Sequence, residues 1–518
     1  MPSNIKAFAL FTVLGLLSQS LSASSDGLCE SLVGVAAHDT IISSATAMVS
    51  DDVLPAHCLV RGVIEPRIGA GGKQYGTGFE LRMPDNWSGR FLMQGGGGFD
   101  GTVNPAVGMN SADRDNPALA RGFAVASTDA GHYGDDARDA WWGKDIKARH
   151  DNGYNSVKLV TERSRAIIER FYGTLPARSY FMGCSNGGRQ GMVAATRYPE
   201  YYDGVLAAAP AFDIPSSIVA WNWNSRVLKA LADAERNGDV AATFSDAELT
   251  MISTAAIDAC DEADGVNDNL VMAPMQCRFD PAQLQCKAGA SEACLSKGQV
   301  EALKKIQEGP RDSAGNLIYA GWDLAGIDGP TGFRLWEIGA ISGPRPSSAG
   351  ADFQDGFLKN IAHTPPNPAY DSMSFQVDDR KMLAEAAPIW SATSTDYGDF
   401  SAKGGKIIIW HGTADGAFST AHLVNWYNTL QQASGGAEAT AKFARLYLTP
   451  GVHHCSGGQG LTNFDALSPL IDWVENDVAP GPIQATGTPP GHTEPVTRPL
   501  CAYPGITTKN EKGEFICR

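Results

Sequence analysis

The sequence predicts an α/β protein in which helices cover both faces of a largely parallel sheet. Short apolar segments alternate with amphipathic ones along the chain, which is typical of this fold class. The segment KIIIW at 406–410 is almost wholly apolar, as parallel strands buried on both faces are. The predicted strands are residues 91–93, 122–127, 180–182, 205–209, 406–410 and 446–448, and the predicted helices are residues 154–172, 187–198 and 467–474.

Residues 212–394 interrupt this alternation. They contain four cysteines, segments rich in Pro, Gly and Ser such as GPRPSSAGA at 343–351, and no clear strand pattern. We interpret them as an inserted lid domain, which divides the core into residues 24–211 and 395–518. The length of 518 residues agrees with such a division, because it exceeds what one compact core usually fills.

The first 23 residues have the pattern of a secretory signal peptide. Lys6 precedes the apolar stretch 7–17, which is too short to span a bilayer, and small residues follow it up to a predicted cleavage site near Ala23. A buried first helix is the alternative. No later segment is long and apolar enough for a transmembrane helix, so the sequence predicts a secreted protein.

The charge balance restricts the partners of the protein. The formal net charge is -16 and the sequence pI is about 5.1, which argues against nucleic acids and anionic membrane surfaces as partners. The sequence does not predict an oligomeric state.

Ten cysteines follow the predicted cleavage site, and an even number in an oxidising compartment implies disulfides. Sequence alone does not fix the connectivity, and the partners of Cys184 and Cys455 stay open at this point. Close spacing suggests four pairs, namely Cys29–Cys58, Cys260–Cys277, Cys286–Cys294 and Cys501–Cys517.

The stretch GCSNGGRQ at 183–190 contains the pattern G-x-S-x-G, formed by Gly183, Ser185 and Gly187. A predicted strand precedes it and a predicted helix follows it, which is the context of the nucleophilic serine in the α/β-hydrolase fold. An ordinary glycine-rich turn is the alternative. The sequence therefore predicts an α/β-hydrolase core with Ser185 as nucleophile.

A serine nucleophile needs a base and an acid that orients the base. Asp415 follows the predicted strand 406–410, where this fold carries its acid. The glycine-flanked loop after strand 446–448 offers two histidines: we favour His454 as the base, and His453 remains the alternative. His411 precedes the acid and is interpreted as a packing or pocket residue.

Two backbone N–H groups should bind the oxyanion. One is that of Asn186, the residue after the nucleophile, and the other lies in the glycine-rich loop QGGGGF at 94–99. A phosphate-binding loop is the alternative, but the Gly-Lys-Ser/Thr ending of such loops is missing.

The motifs GCSNGGRQG, WHGTAD and HHCSGG together resemble those of the tannase and feruloyl esterase family, whose members include hydrolases of mono(2-hydroxyethyl) terephthalate. The resemblance extends over almost the whole chain after the signal peptide. It implies a disulfide between Cys184 and Cys455, His454 as base, Asp415 as acid and Gly98 as the second oxyanion donor.

The resemblance also implies a structural calcium site in the lid, within DEADGVNDNL at 261–270. The implied ligands are the carboxylates of Asp261, Asp264 and Asp268 and the carbonyls of Val266 and Leu270, and hard oxygen ligands of this kind suit calcium. From spacing alone, a solvated acidic loop is an equal alternative, since the pattern is not that of an EF-hand.

An aromatic acyl group needs an apolar pocket with few polar groups. Phe353, Phe418 and Phe99 are the candidate walls, while Trp221 and Trp223 are weaker candidates, and core packing is the alternative for each.

In the terephthalate-hydrolysing members a lid arginine meets the free carboxylate of the substrate. The matching place in this sequence, near Ala349 and Gly350, has no arginine, and Arg345 lies close to it.

We therefore expect a secreted serine esterase that acts on small esters of hydroxylated aromatic acids through an acyl-enzyme. A terephthalate monoester hydrolase is the nearest alternative. A serine peptidase on the same fold and an inactive hydrolase fold used for binding are the others.

Overall fold

The computed structural model describes residue 1 and residues 25–34, 39–109, 112–113, 115–134, 136–287, 293–340 and 347–518. The predicted signal peptide, apart from Met1, lies outside the described residues, and so does Arg345.

Within the described residues, nine strands form one central sheet. They are β1 (Thr40–Met48), β2 (His57–Ile68), β3 (Gln74–Pro84), β4 (Arg90–Gln94), β5 (Phe123–Thr128), β6 (Arg178–Cys184), β7 (Gly204–Ala208), β8 (Lys406–Gly412) and β9 (Ala444–Thr449). Their order is β1-β2-β3-β5-β4-β6-β7-β8-β9. The six strands from β5 to β9 in this order pair in parallel, while β1, β2 and β3 form an antiparallel extension that joins β5.

Thirteen α-helices accompany the sheet in the described part of the chain. They are α1 (Ser25–Glu30), α2 (Ile146–His150), α3 (Ser156–Tyr172), α4 (Asn186–Arg197), α5 (Ile214–Glu235), α6 (Asp246–Cys260), α7 (Lys297–Glu308), α8 (Ala349–Phe357), α9 (Ala387–Trp390), α10 (Gly398–Ala402), α11 (Thr420–Ala433), α12 (Ala437–Thr440) and α13 (Leu467–Asn476).

The apolar strands are buried on both faces because alternate residues enter different cores. In β8, Ile407 and Ile409 pack with helices α3, α4 and α11 on one face, whereas Ile408 and Trp410 pack with α13 on the other. All four side chains are inaccessible to solvent. This arrangement explains the continuous apolar run and confirms the predicted α/β-hydrolase fold.

The chain between β7 and β8 contains helices and, among its described residues, none of the strands of the three sheets. Helices α5 to α8 share a second hydrophobic core with Phe99 and Phe418, which lie just beyond strands β4 and β8. The inserted helices are therefore packed directly over the ends of those strands. The exact limits of the predicted lid, residues 212 and 394, stay a prediction.

Several strands were not predicted from the sequence. Besides β1 to β3, the C-terminal region has two antiparallel pairs, β10 (Ile483–Gly487) with β11 (Val496–Leu500) and β12 (Thr507–Lys509) with β13 (Phe515–Cys517). In β1 only Thr40, Ile42 and Ala45 are buried, so this strand lacks the continuous apolar pattern that identified the parallel strands.

All ten cysteines are paired, and the four predicted short-range disulfides are confirmed. The fifth joins Cys184 to Cys455 across 271 positions of the sequence, with their Cα atoms 5.9 Å apart, as the resemblance implied. No helix in the described part of the chain combines the length and apolar character needed to cross a membrane.

Candidate active site

Ser185 lies on a sharp turn between β6 and α4, with backbone angles of φ 62° and ψ -123°. A residue with a side chain rarely adopts a positive φ, so the turn is strained. The flanking glycines make the turn possible. A Cβ atom on Gly183 would lie 2.7 Å from the backbone of Gly187, and one on Gly187 would lie 2.7 Å from the carbonyl oxygen of Gly96.

The imidazole of His454 stands between a hydroxyl and a carboxylate. Its Nε2 is 2.8 Å from Ser185 Oγ, and its Nδ1 is 2.8 Å from Asp415 Oδ2. Asp415 Oδ1 accepts hydrogen bonds from the backbone N–H groups of Ala417 and Phe418 at 2.7 and 3.0 Å. The structure thus brings together the serine, histidine and aspartate that the sequence analysis singled out.

The carboxyl group of Asp415 is completely buried. Burial alone would raise its pKa, but the nearby His454 and the hydrogen bonds that Asp415 accepts lower the pKa below its ordinary value. Asp415 is therefore ionised at neutral pH and can stabilise a positive charge on the imidazole.

His453 and His411 occupy other positions. His453 Nε2 lies 2.8 Å from the carbonyl oxygen of Gly326 and Nδ1 lies 2.7 Å from Thr331 Oγ1, so this ring contacts the insertion and not the serine. His411 is buried behind the acid, with Nε2 3.1 Å from the carbonyl oxygen of Phe418. Burial lowers the pKa of both histidines, which favours neutral rings.

Gly98 and Asn186, the two expected oxyanion donors, line one cavity together with Ser185. Gly98 has φ 56°, and a Cβ atom there would lie 2.7 Å from the carbonyl oxygen of Ala137. Only glycine fits this turn without displacing the neighbouring backbone. The positive φ of Gly98 therefore allows the loop to take this conformation beside the serine.

The cavity at Ser185 has a volume of about 230 Å³. The three predicted phenylalanines and Trp221 line it, but Trp223 does not: its indole N–H donates to the carbonyl oxygen of Lys305. A fifth aromatic ring, Trp336, was missed by the sequence analysis. Among the described residues, the Phe and Trp rings that line the cavity are Phe99, Trp221, Trp336, Phe353 and Phe418.

Trp336 and Phe418 also touch the histidine. Their ring centroids are 4.8 and 5.2 Å from that of His454, at interplanar angles of 82° and 64°. Ile214 and Ala211 complete the apolar wall, and none of the described lining residues is an Asp, Glu, Lys or Arg. The cavity is thus suited to a flat, uncharged ring next to the serine.

The acidic loop proposed for calcium brings buried carboxylates close to one another. Both Asp261 and Asp264 are buried, and each accepts two hydrogen bonds from backbone N–H groups between Val266 and Met272. Asp268 Oδ2 accepts from Arg498 Nη2 at 2.6 Å, while its Oδ1 is buried without a hydrogen-bond partner. Burial, with the neighbouring acids, raises the pKa of Asp264 to about 6.

Side chains alone do not form a complete metal site in the described part of the chain. No group of three or more Asp, Glu, His or Cys residues there is arranged to hold an ion. A calcium ion in this loop would need backbone oxygens in addition, such as those of Val266 and Leu270. The buried, unpaired oxygen of Asp268 fits a role as ligand.

The protein is an α/β-hydrolase with a serine site, as the sheet, the strained serine turn and the hydrogen bonds between Ser185, His454 and Asp415 show. Comparison with known proteins identifies its family. Residues 58–517 match the family model for tannase and feruloyl esterase. The chain is 38% identical to mono(2-hydroxyethyl) terephthalate hydrolase from Piscinibacter sakaiensis, over 91% of this chain and 85% of that protein.

It is also 30% identical to a probable feruloyl esterase from Arthroderma benhamiae, over 84% of this chain and 81% of that one. The protein therefore belongs to the tannase and feruloyl esterase family of carboxylic ester hydrolases.

Two solved structures have the same fold. Feruloyl esterase B from Aspergillus oryzae superposes with a TM-score of 0.80 at 22% identity and covers 96% of this chain and 100% of its own. Tannin acyl hydrolase from Aspergillus niger gives a TM-score of 0.73 at 22% identity, over 95% and 94% of the two chains.

Proposed function

We propose that the protein is a secreted serine esterase that hydrolyses small esters of hydroxylated aromatic acids, as feruloyl esterases and tannases do. The observation that carries this proposal is that the hydrogen-bonded Ser185, His454 and Asp415 adjoin a cavity lined by aromatic rings. The names of the relatives support the same substrate class.

In the proposed reaction, Ser185 Oγ attacks the ester carbonyl carbon while His454 Nε2 takes the hydroxyl proton. Asp415 holds the resulting imidazolium. The N–H groups of Gly98 and Asn186 stabilise the oxyanion of the tetrahedral intermediate. The carbon–oxygen bond to the alcohol then breaks, His454 protonates the leaving alkoxide, and water hydrolyses the acyl-enzyme through the same steps.

The size of the cavity limits the acyl group. At about 230 Å³ it is smaller than the roughly 300–1,000 Å³ of pockets for drug-sized ligands. We infer that it holds one aromatic ring with a short linker, and that the alcohol part of the ester stays outside.

A terephthalate monoester hydrolase is the second candidate, favoured by the relative at 38% identity. Its substrate carries a second carboxylate, and an unpaired carboxylate is costly to bury. None of the described lining residues of the cavity is cationic. We therefore propose as the main substrates esters of aromatic acids that lack a second carboxylate.

A panel of methyl esters tests the proposal: ferulate, caffeate, p-coumarate and gallate, together with a terephthalate monoester. Wild type should release the acids of the first four faster than terephthalate. Ser185→Ala should lose at least about 10⁴-fold in kcat, the scale seen when a triad member is removed.

Equal hydrolysis by wild type and Ser185→Ala would refute the proposal. Release of peptides but not of these acids would instead support the serine peptidase alternative. A fluorophosphonate probe that failed to label Ser185 in the folded protein would support a fold used only for binding.

We further propose that the loop 261–270 binds a structural calcium ion. The carboxylates of Asp261, Asp264 and Asp268 would supply charge, and the carbonyls of Val266 and Leu270 would complete the shell. The proposal is supported by the buried, unpaired Asp268 Oδ1 and by the raised pKa of Asp264, because a cation would stabilise both carboxylates.

A further inference from the structure

A buried carboxylate lies beside the candidate oxyanion site and has no part in the proposed proton transfers. Asp100 follows Gly98 by two residues and is only 3% exposed. Its Oδ1 accepts a hydrogen bond from the side-chain amide of Asn186, and its Oδ2 accepts one from Gln190 Nε2 at 2.8 Å. The acid therefore links its own loop to the first turn of helix α4.

The amide of Asn186 is held from both sides. Arg189 Nε donates to Asn186 Oδ1 at 2.6 Å, opposite the bond that the amide donates to Asp100. Arg189 is itself buried, and it also donates to the carbonyl oxygens of Gly153 at 2.7 Å and Asn152 at 3.1 Å. A buried cation and a buried anion thus fix the orientation of the residue that follows the nucleophile.

A second bridge joins the same two segments. Gln190, which donates to Asp100, accepts a hydrogen bond from the backbone N–H of Gly96 through its Oε1 at 3.1 Å. The N–H of Gly187 donates to the carbonyl oxygen of Gly96 at 3.0 Å. A Cβ atom on Gly96 would lie 2.7 Å from Asp100 Oδ2, so the loop closes tightly around the carboxylate.

We propose that Asp100 is a positioning residue for ester hydrolysis, and this inference rests on the proposed function. Asp100 belongs to the loop of Gly98, and its carboxylate accepts hydrogen bonds from Asn186 and Gln190 of helix α4, so it ties together the two segments that supply the oxyanion donors. It thereby fixes the separation of their two N–H groups before substrate arrives, and a preorganised pair of donors is what stabilises the transition state.

An ionised carboxylate suits this place because both of its partners are N–H donors. An asparagine at position 100 would turn its own NH₂ group toward Asn186 or Gln190, and one of the two hydrogen bonds would be lost. A buried negative charge so close to a developing oxyanion would oppose catalysis by itself. Arg189, joined to Asp100 through Asn186, offsets that charge.

The test compares Asp100→Asn with Asp129→Asn in the full-length protein, using 4-nitrophenyl benzoate. Asp129 is a matched control because it is also a buried acid of this region. Its Oδ1 accepts from the backbone N–H groups of Gly78 and Gly131, at 2.9 Å each, and an asparagine oxygen can accept both. The Asp100 variant should lose about 10²-fold in kcat with KM within threefold, and the control should keep its kcat within threefold.

Inhibitor binding separates positioning from a merely structural role. The boron of phenylboronic acid bonds to Ser185 Oγ as the hydroxyl proton passes to His454, and the anionic tetrahedral adduct needs the oxyanion donors. Toluene has the same ring without an oxygen atom and does not use these donors. Asp100→Asn should weaken the binding of phenylboronic acid by about as much as it lowers kcat, while the Ki of toluene changes less than threefold.

Asn186→Ala keeps the backbone donor but removes the side chain that Asp100 holds. We expect the same loss in kcat and in phenylboronic acid binding, and the double variant should be no worse than either single variant. If Asp100→Asn does not fold, Asn186→Ala tests whether the contact between Asp100 and Asn186 positions the oxyanion donors.

Unchanged kcat in folded Asp100→Asn, or in Asn186→Ala if the former does not fold, would overturn the inference. Equal weakening of the binding of phenylboronic acid and toluene would also overturn it. An inactive wild type would refute the proposed function instead.

Discussion

Trp336 illustrates how a single side chain of the insertion shapes the candidate site. Its ring lies edge-on to His454 and is nearly parallel to Phe353, with centroids 6.3 Å apart and an angle of 13°. We predict that Trp336→Ala raises KM for 4-nitrophenyl benzoate by about tenfold, since a lost aromatic contact of this kind costs roughly 1 kcal/mol or more. The KM for 4-nitrophenyl acetate should change much less, because an acetyl group is too small to use the wall.

Trp223→Ala is the matched control for this prediction. Trp223 belongs to the same insertion but lies outside the cavity, so both KM values should stay near those of wild type. Equal effects of Trp336→Ala on the two esters would show that Trp336 does not contact the acyl group.

Asp100 should also leave a signature in the pH dependence of stability. Burial raises its pKa from 3.8 to about 6, although the hydrogen bonds from Gln190 and Asn186 partly oppose this. A pKa raised by folding means that the contribution to stability is complete below 3.8 and is lost as the pH rises through 6. Between pH 4 and pH 8, wild type should therefore lose up to about 3 kcal/mol relative to Asp100→Asn.

Melting midpoints of the two proteins at pH 4, 6 and 8 measure this difference. The midpoint of Asp100→Asn should rise relative to that of wild type with pH, even though the variant is the poorer enzyme. A difference that stays constant across this range would mean that the carboxyl group does not titrate near pH 6. A relative gain of Asp100→Asn with pH would show that the ionised carboxylate is less favourable in the folded protein than in the unfolded chain.

At the scale of elements, the disulfide Cys184–Cys455 joins the serine turn after β6 to the histidine loop after β9. Bridging 271 positions, it should stabilise the fold by up to about 5 kcal/mol through the unfolded chain. We predict that replacing both cysteines by alanine lowers kcat more than tenfold even well below the melting midpoint, because the turn and the loop are then free to separate. Initial rates at 15 °C together with melting curves give both quantities.

The lid disulfide Cys286–Cys294 provides the comparison. It spans only 8 positions, and its removal should cost roughly 2.5 kcal/mol. It should leave kcat at 15 °C unchanged. Full activity of the Cys184→Ala and Cys455→Ala double variant would show that the longer disulfide only stabilises the fold.

The acidic loop after α6 should behave as a calcium-dependent element. Saturating calcium at 100 times its Kd would add about 2.7 kcal/mol, so removal with EGTA should lower the melting midpoint by several degrees. Asp264→Asn should melt at the lower temperature with or without calcium. Asp258→Asn, which replaces an exposed acid on α6 outside the loop, should respond as wild type does. The proposed site would be disproved by a midpoint that EGTA leaves unchanged in calcium-loaded wild type.

For the whole molecule, secretion and disulfide formation should go together. Expressed in a Gram-negative host, the full chain should be exported, cut near Ala23, and contain no free thiol when denatured, because all ten cysteines are paired. A chain that begins at Ser24 should stay in the reducing cytosol and show free thiols. Mass spectrometry and thiol titration test both statements, and an exported protein with two or more free thiols would contradict the pairing.

The catalytic candidates could be predicted from the sequence because each follows an apolar strand. Ser185, Asp415 and His454 come after β6, β8 and β9, and the carboxyl ends of parallel strands meet at one edge of a sheet. Trp336 had no comparable signal. It lies in a short π-helical segment, Arg334–Ile338, and reaches the site only through the packing of the insertion. Strand β1 lacked a sequence signal because only three of its nine side chains are buried.

The place of the insertion has a consequence for how such proteins can diversify. Parallel neighbours β7 and β8 must always be joined by a crossover, which in most sheets is a helix of a dozen or so residues. Here residues 209–405 serve as that connection. Closing a loop costs only about 0.6 kcal/mol for each doubling of its length, or about 2.5 kcal/mol from a minimal crossover to this one. The length of this connection is thus a small energetic cost, and cavity-lining residues such as Trp221, Trp336 and Phe353 can vary within it while the serine, histidine and aspartate stay in place.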